Sequence, residues 1–225
     1  MVSAVESKTT GIVLDVARQL GGAMPGVVTL HDHSRFGNHG AMTDVAWVQL
    51  PTGLWVMSFN GATSYVDCGD DSSVDIVNAI TLESWVYPTT LVDNNWLSRD
   101  DNANRNYSFY SNAAGDVYIT MFTGGVNKYV FLAGALTINN WFHVVGTYNG
   151  AIEYLYINGI SVGTPNAWVG TIDNDDVSLT IGAREDAFDR EFLGYIAPVR
   201  IYNYALTAGQ ILKRYEADKW KFGVN

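Results

Sequence analysis

Short apolar runs that alternate with polar residues recur along most of the chain, each closed by Gly, Asn or Asp. In Leu54–Phe59 the alternation puts Trp55, Met57 and Phe59 on one face. In Ile80–Tyr87, Ile80, Leu82, Ser84 and Val86 share one face, and Thr81, Glu83, Trp85 and Tyr87 share the other. Successive side chains of a strand point to opposite sides, so a period of two predicts strands. The same pattern predicts strands at Tyr107–Tyr110, Val117–Phe122, Lys128–Leu132, Phe142–Tyr148, Ile152–Ile157, Val177–Ile181 and Tyr195–Tyr202. Strands at this spacing, with turn residues in every gap, predict a sandwich or a barrel. Asn149-Gly150 and Asn158-Gly159 are the preferred pair for a type I′ hairpin, so the strands on either side, through Ile160–Gly163, form a meander.

One helix is predicted, at the end. Thr207-Ala-Gly-Gln210 has capping-box spacing, and Ile211, Leu212 and Tyr215 follow at helical intervals. No Pro- or Ser-rich linker and no charge block interrupts the 225 residues, so residues 1–225 are expected to form one domain. A composition 48% hydrophobic and 13% aromatic is that of a globular chain. The 13 basic residues face 23 acidic ones, a net charge of −10, which argues against nucleic acid as a partner. Cys68 is the single cysteine, so no intrachain disulfide can form. No apolar run is long enough to span a membrane, and no membrane insertion is expected. Met1–Thr10 lacks a basic segment followed by an apolar one, so either export does not use a cleaved signal or the chain is an excised domain.

Four segments in this order resemble the laminin-G-like, concanavalin A-like lectin/glucanase superfamily. They are Asp32–Gly40; Met57–Gly61 with Tyr65–Gly69 and Ala79–Val86; Asn140–Gly150 with Leu155–Gly159; and Leu179–Gly182 with Gly194–Leu206. The resemblance covers most of the chain. It implies an all-β jelly roll of two antiparallel sheets with six or seven strands each, one sheet concave and the terminal strands adjacent. It also implies an extracellular, cell-surface or virion-surface setting. Calcium is the ion it implies, near the joined termini, with Asp32 and Asn60 as the metal candidates. The chain departs from the family pattern at Asn60 and Ala197, where the family usually has Asp, and each change removes a carboxylate ligand.

The related glucanases carry Glu-x-Asp-x-x-Glu on one strand, because glycoside hydrolysis needs two facing carboxyls. That string is missing, as are the motifs of the alginate lyases of this fold. Glu83 and Glu153 stand singly on separate strands, so no catalytic residue is assigned. His31 and His33 are two apart and could share a face toward a metal, but a third ligand is lacking. The resemblance makes His143 a packing and hydrogen-bonding residue. What remains is a set of loops rich in amides, arginine and aromatics, which suits sugar rings and hydroxyls. Asn94–Tyr107 offers Trp96 and Tyr107 for stacking, with Arg99 and Arg105 as donors. Asn166–Asp176 offers Trp168, Asp173 and Asp176, and Arg184–Arg190 offers Arg184. The expected function is a non-catalytic carbohydrate- or glycoconjugate-binding module. The alternatives are an assembly domain that binds protein partners and a divergent polysaccharide hydrolase or lyase.

Overall fold

The computed structural model describes residues 11–16, 28–185 and 190–224. The reading of Met1–Thr10 and residues 186–189 of the Arg184–Arg190 segment lie outside the described residues. Among the described residues, two antiparallel sheets of eight strands each pack face to face. The first runs β14 (Ile160–Ala167), β13 (Ile152–Ile157), β12 (Phe142–Tyr148), β7 (Ile80–Pro88), β16 (Leu193–Tyr202), β5 (Trp55–Asn60) and β4 (Ala46–Gln49). The N-terminal strand β1 (Ile12–Asp15) pairs with the C-terminal strand β16, as the resemblance implied. The second sheet runs β11 (Val126–Leu132), β10 (Val117–Thr123), β9 (Arg105–Ser111), β8 (Asn94–Asp100), β15 (Thr180–Ile181), β6 (Tyr65–Asp67), β3 (Gly40–Thr43) and β2 (Thr29–Leu30).

The inner faces supply one continuous apolar core, with Leu82, Val86 and Val144 from the first sheet and Leu97, Phe109 and Ile119 from the second. The sheets approach closely at Gly146 in β12, where an added Cβ would lie 1.7 Å from Ile119 Cδ1. Any side chain there would force them apart. The predicted meander forms with β12 pairing β13 and β13 pairing β14. Asn158 and Gly159 both have positive φ (52° and 80°), as a type I′ turn requires. At the other turn only Gly150 does. There Asn149 Oδ1 instead accepts the backbone N–H groups of Ala151 and Ile152, an Asx turn in place of the expected I′ pair.

The helix α1 (Ala208–Asp218) carries the predicted capping box between Thr207 and Gln210 and runs into a short 3-10 turn, Lys219–Phe222. Both lie on the outer face of the first sheet, so the second face of β7 is buried as well. Trp85 stacks on Phe222 (4.1 Å between centroids) and on Tyr215 (5.8 Å). Glu83 is fully buried in the same layer. Its Oε1 accepts from His143 Nε2 and Arg200 Nη1, both at 3.1 Å, and its Oε2 from Arg214 Nε at 2.8 Å and Tyr202 Oη at 3.3 Å. A charge buried this deeply needs such partners. Here they come from two strands and the helix, so one carboxylate pins α1 to the sheet.

Candidate functional site

The Asn94–Tyr107 segment was expected to be a long loop; it is a hairpin of β8 and β9 with only a short connection. A β-bulge between Asn95 and Leu97 explains why its residues divide as they do. An extra residue in one strand shifts which side chains face inward. Trp96 is thereby turned into the core, where it stacks on Phe109 (5.4 Å) and donates from Nε1 to Ser84 Oγ at 2.9 Å. Tyr107 is also inside, its hydroxyl donating to the Val74 carbonyl at 3.0 Å. Arg99 is buried in an ion pair with Asp75 (2.7 Å) and donates to Asn174 and to the carbonyls of Val74 and Val177. The assignment of Trp96, Arg99 and Tyr107 to a ligand surface is therefore corrected. All three fasten the sandwich from within.

Two further candidates are likewise structural. Trp168 stacks on Tyr148 at 3.8 Å and donates to Glu153 Oε2. Asp173 accepts from the N–H groups of Gly124 and Gly125 and so closes the β10–β11 turn. Asp176 is exposed on the loop before β15. Burial pushes the Glu153 carboxyl up to about 8, with its Oε1 unpartnered. It faces the core, away from solvent.

Both metal candidates accept hydrogen bonds from protein groups. Asp32 accepts from the N–H groups of Asp15, Ser34 and Asn38 and from the Ser34 hydroxyl. Asn60 Oδ1 accepts three backbone N–H groups, from Ala62, Thr63 and Ser64. Ala197 sits in an apolar cluster with Trp85 and Phe222. The His31 ring meets His39 edge-on at 5.2 Å, and His39 Nδ1 accepts the Asp32 N–H. Among the described residues no group of three or more His, Cys, Asp or Glu is placed to hold a metal ion. Chelation with EDTA is accordingly expected to leave the melting temperature unchanged, since a ligand stabilises only as far as its concentration exceeds its dissociation constant. A drop restored by calcium alone would reverse that expectation.

A different surface emerges on the outer face of the second sheet. There Ser98 pairs with Ser108 and with Thr180, Ser108 with Thr120, and Thr120 with Tyr129. Opposed residues share a face, so these five form one polar row across the strands. Beside it runs an aromatic row, Tyr110, Tyr118 and Phe131, with ring centroids 4.4 and 5.1 Å apart. These rings stack on one another, and Tyr129 and Phe131 present open surface at the edge. Burial pushes the Tyr118 hydroxyl up to about 12, reinforced by Tyr110 and Asp116. It is a neutral hydrogen-bonding group at physiological pH.

The face is hollowed into a cavity of about 200 Å³ lined by Asn95, Asp100, Arg105, Tyr110, Arg184 and Arg190, among others. Two buried polar atoms of this face lack a partner, Asn95 Oδ1 and Ser98 Oγ. Of the residues singled out from sequence, Arg105 and Arg184 line the cavity. Asn95, Ser98, Ser108, Tyr110 and Tyr118 were missed. The available signal was the alternation of Asn106, Ser108 and Tyr110 with Tyr107 and Phe109, which places polar groups on one side of β9.

A laminin-G family model, described as the concanavalin A-like lectin/glucanases superfamily, matches residues 60–212, more than half of the chain. No curated protein matches the sequence. Among solved structures, the binding domain of Paraclostridial Mosquitocidal Protein 1 superposes with a TM-score of 0.73 at 15% identity, over 92% of this chain and 52% of that one. The binding domain of botulinum neurotoxin DC in complex with SialylT gives 0.67 at 14% identity, over 94% and 52%. Domain 4 of AbnA, a GH43 extracellular arabinanase from Geobacillus stearothermophilus, in complex with arabinotriose, gives 0.65 at 17% identity, over 90% and 97%. The chain thus spans about half the length of the toxin binding domains and is similar in extent to the arabinanase domain. At these identities the likeness is one of fold. With the sandwich, the joined terminal strands and the family match in agreement, the chain belongs to the concanavalin A-like lectin/glucanases superfamily.

Proposed function

We propose that this protein is a non-catalytic glycan-binding module, and that its site is the hollowed outer face of the second sheet. The observation that carries the reading is the unpartnered Asn95 carbonyl in the wall of that cavity. A buried acceptor without a hydrogen bond is destabilising, and such groups in native proteins call for an explanation. A sugar hydroxyl would satisfy it. Serine, threonine and tyrosine hydroxyls around it can donate or accept, arginine can donate, and Tyr129 and Phe131 offer apolar surface to a ring. Proteins of the same fold were solved with arabinotriose and with SialylT, and the two toxin neighbours are binding domains, which supports the reading. A secreted or surface setting goes with this role, as for the toxin and extracellular enzyme domains it resembles. No helix among the described residues is long and apolar enough to cross a membrane.

The test is a glycan array with the wild-type chain, followed by titration of the best hit against Asn95→Ala. Loss of one hydrogen bond is expected to weaken binding about tenfold. Because the substitution removes an unsatisfied group, the melting temperature should stay level or rise. No hit with the wild type, or a hit that Asn95→Ala leaves undiminished, would reject this site.

A further inference from the structure

The aromatic row on the outer face of the second sheet has Asn95 at its head. Asn95 in β8 is opposed to Tyr110 in β9, Tyr110 to Tyr118 in β10, and Tyr118 to Phe131 in β11. Opposed residues share a face, so the row leads from the unpartnered Asn95 oxygen to the edge of the sheet. There a second hollow begins, a groove of about 580 Å³ between β11 and β14, with Thr164, Pro165 and Asn166 on its far wall. Asn127 lines both this groove and the Asn95 cavity, so the two hollows adjoin. We propose that the ligand is a linear oligosaccharide of at least three sugars, which crosses the sheet from the Asn95 cavity into the groove. This rests on the glycan-binding reading and specifies its substrate class.

The dimensions call for a chain. The Asn95 cavity, about 200 Å³, falls below the roughly 300–1,000 Å³ of small-ligand sites, whereas the groove lies within that range. From β8 to β11 is three strand spacings, ~14 Å. A sugar advances its chain by close to one such spacing. A single ring therefore reaches one hollow, and a chain of three or more reaches both. The strip between them suits a chain as well. The hydroxyls of Ser108 and Thr120 run along one side of it, and the rings of Tyr110 and Tyr118 along the other. Sugar chains carry hydroxyls at their ring edges and C–H groups on their ring faces, and so match both rows.

The groove is already formed. β11 and β14 are edge strands of their sheets, and at Gly163 in β14 an added Cβ would lie 2.4 Å from the Phe131 carbonyl oxygen. Contact this close fixes the two walls against each other, so binding need not order them. Once a first sugar is seated at Asn95, the sugars linked to it meet the groove intramolecularly. Weak contacts there then raise the affinity of the whole chain.

The test is titration with ladders of one to six sugars from arabinan, xylan, cellulose and chitin, beside the glycan array. The wild type is expected to bind the four-sugar member of at least one ladder tenfold or more tightly than its two-sugar member. Thr164→Trp, at an exposed position of β14, should fill the groove. It should remove the gain with length while leaving the two-sugar affinity and the melting temperature in place. Asn95→Ala should weaken every member of the ladder. A general loss of folding would lower both affinities together and leave their ratio unmoved. An affinity independent of length, a gain that survives Thr164→Trp, or binding on the array with every ladder silent overturns the chain inference while the glycan-binding reading stands. Silence on the array and on every ladder rejects both.

Discussion

Glu83→Gln is expected to destabilise the protein by about 3 kcal/mol at neutral pH. This is at the low end for removing one partner of a buried ion pair, because Arg200 keeps Asp15 (3.4 Å) and Asp218 (3.7 Å). For a chain of this size the melting temperature should fall by roughly 10 °C. The volume of the side chain is kept, so the loss isolates its charge. Arg214 and His143 are left beside a neutral amide, and the hold on α1 weakens. Burial alone would raise the Glu83 carboxyl, but Arg200, His143 and Arg214 outweigh it and keep it well below the usual carboxylate range. A carboxyl lowered on folding contributes stability that is complete above its unfolded value and is lost as pH falls through the folded one. The gap between wild type and variant should therefore be constant at neutral pH and narrow below about pH 4.5, near the ordinary carboxyl value. Thermal melts of both proteins across pH 3–8 measure it. An unchanged melting temperature at pH 7, or a gap that persists undiminished at pH 3, would show that the carboxylate does not pin the helix.

Trp96→Ala should be at least as damaging, about 3–5 kcal/mol, from a cavity left in a core that cannot collapse around it. The indole is fully buried between Phe109 and Phe192, and its removal also leaves the Ser84 hydroxyl without its donor. Glycan affinity, measured well below the melting transition, should be unaltered, because the outer face keeps Asn95, Tyr110 and the arginines. The opposite outcome, lost binding with an unshifted melt, would return Trp96 to the ligand surface.

Where local chemistry decides, the sequence was sufficient. Ile152–Ile157 and Phe142–Tyr148 form strands with the bounds their alternation predicts, and Thr207 with Gln210 caps the helix, because each depends on neighbours a few residues away. The strand β8 was not legible. Asn94-Asn-Trp-Leu-Ser-Arg-Asp is poor in strand formers and is held in place by pairing on both sides. The partners of Glu83 lie 60, 117, 119 and 131 residues away along the chain, so no local pattern could show that this lone carboxylate would be buried in the middle of four donors. Nor could it show which side of the Asn94–Tyr107 hairpin meets solvent. A slip of one residue exchanges the two faces of a strand, and the bulge beside Trp96 makes that slip within the hairpin. The sequence determined that amides, arginines and aromatics would gather there. Only the pairing of the sheet decided that the indole goes in and Asn95 faces out.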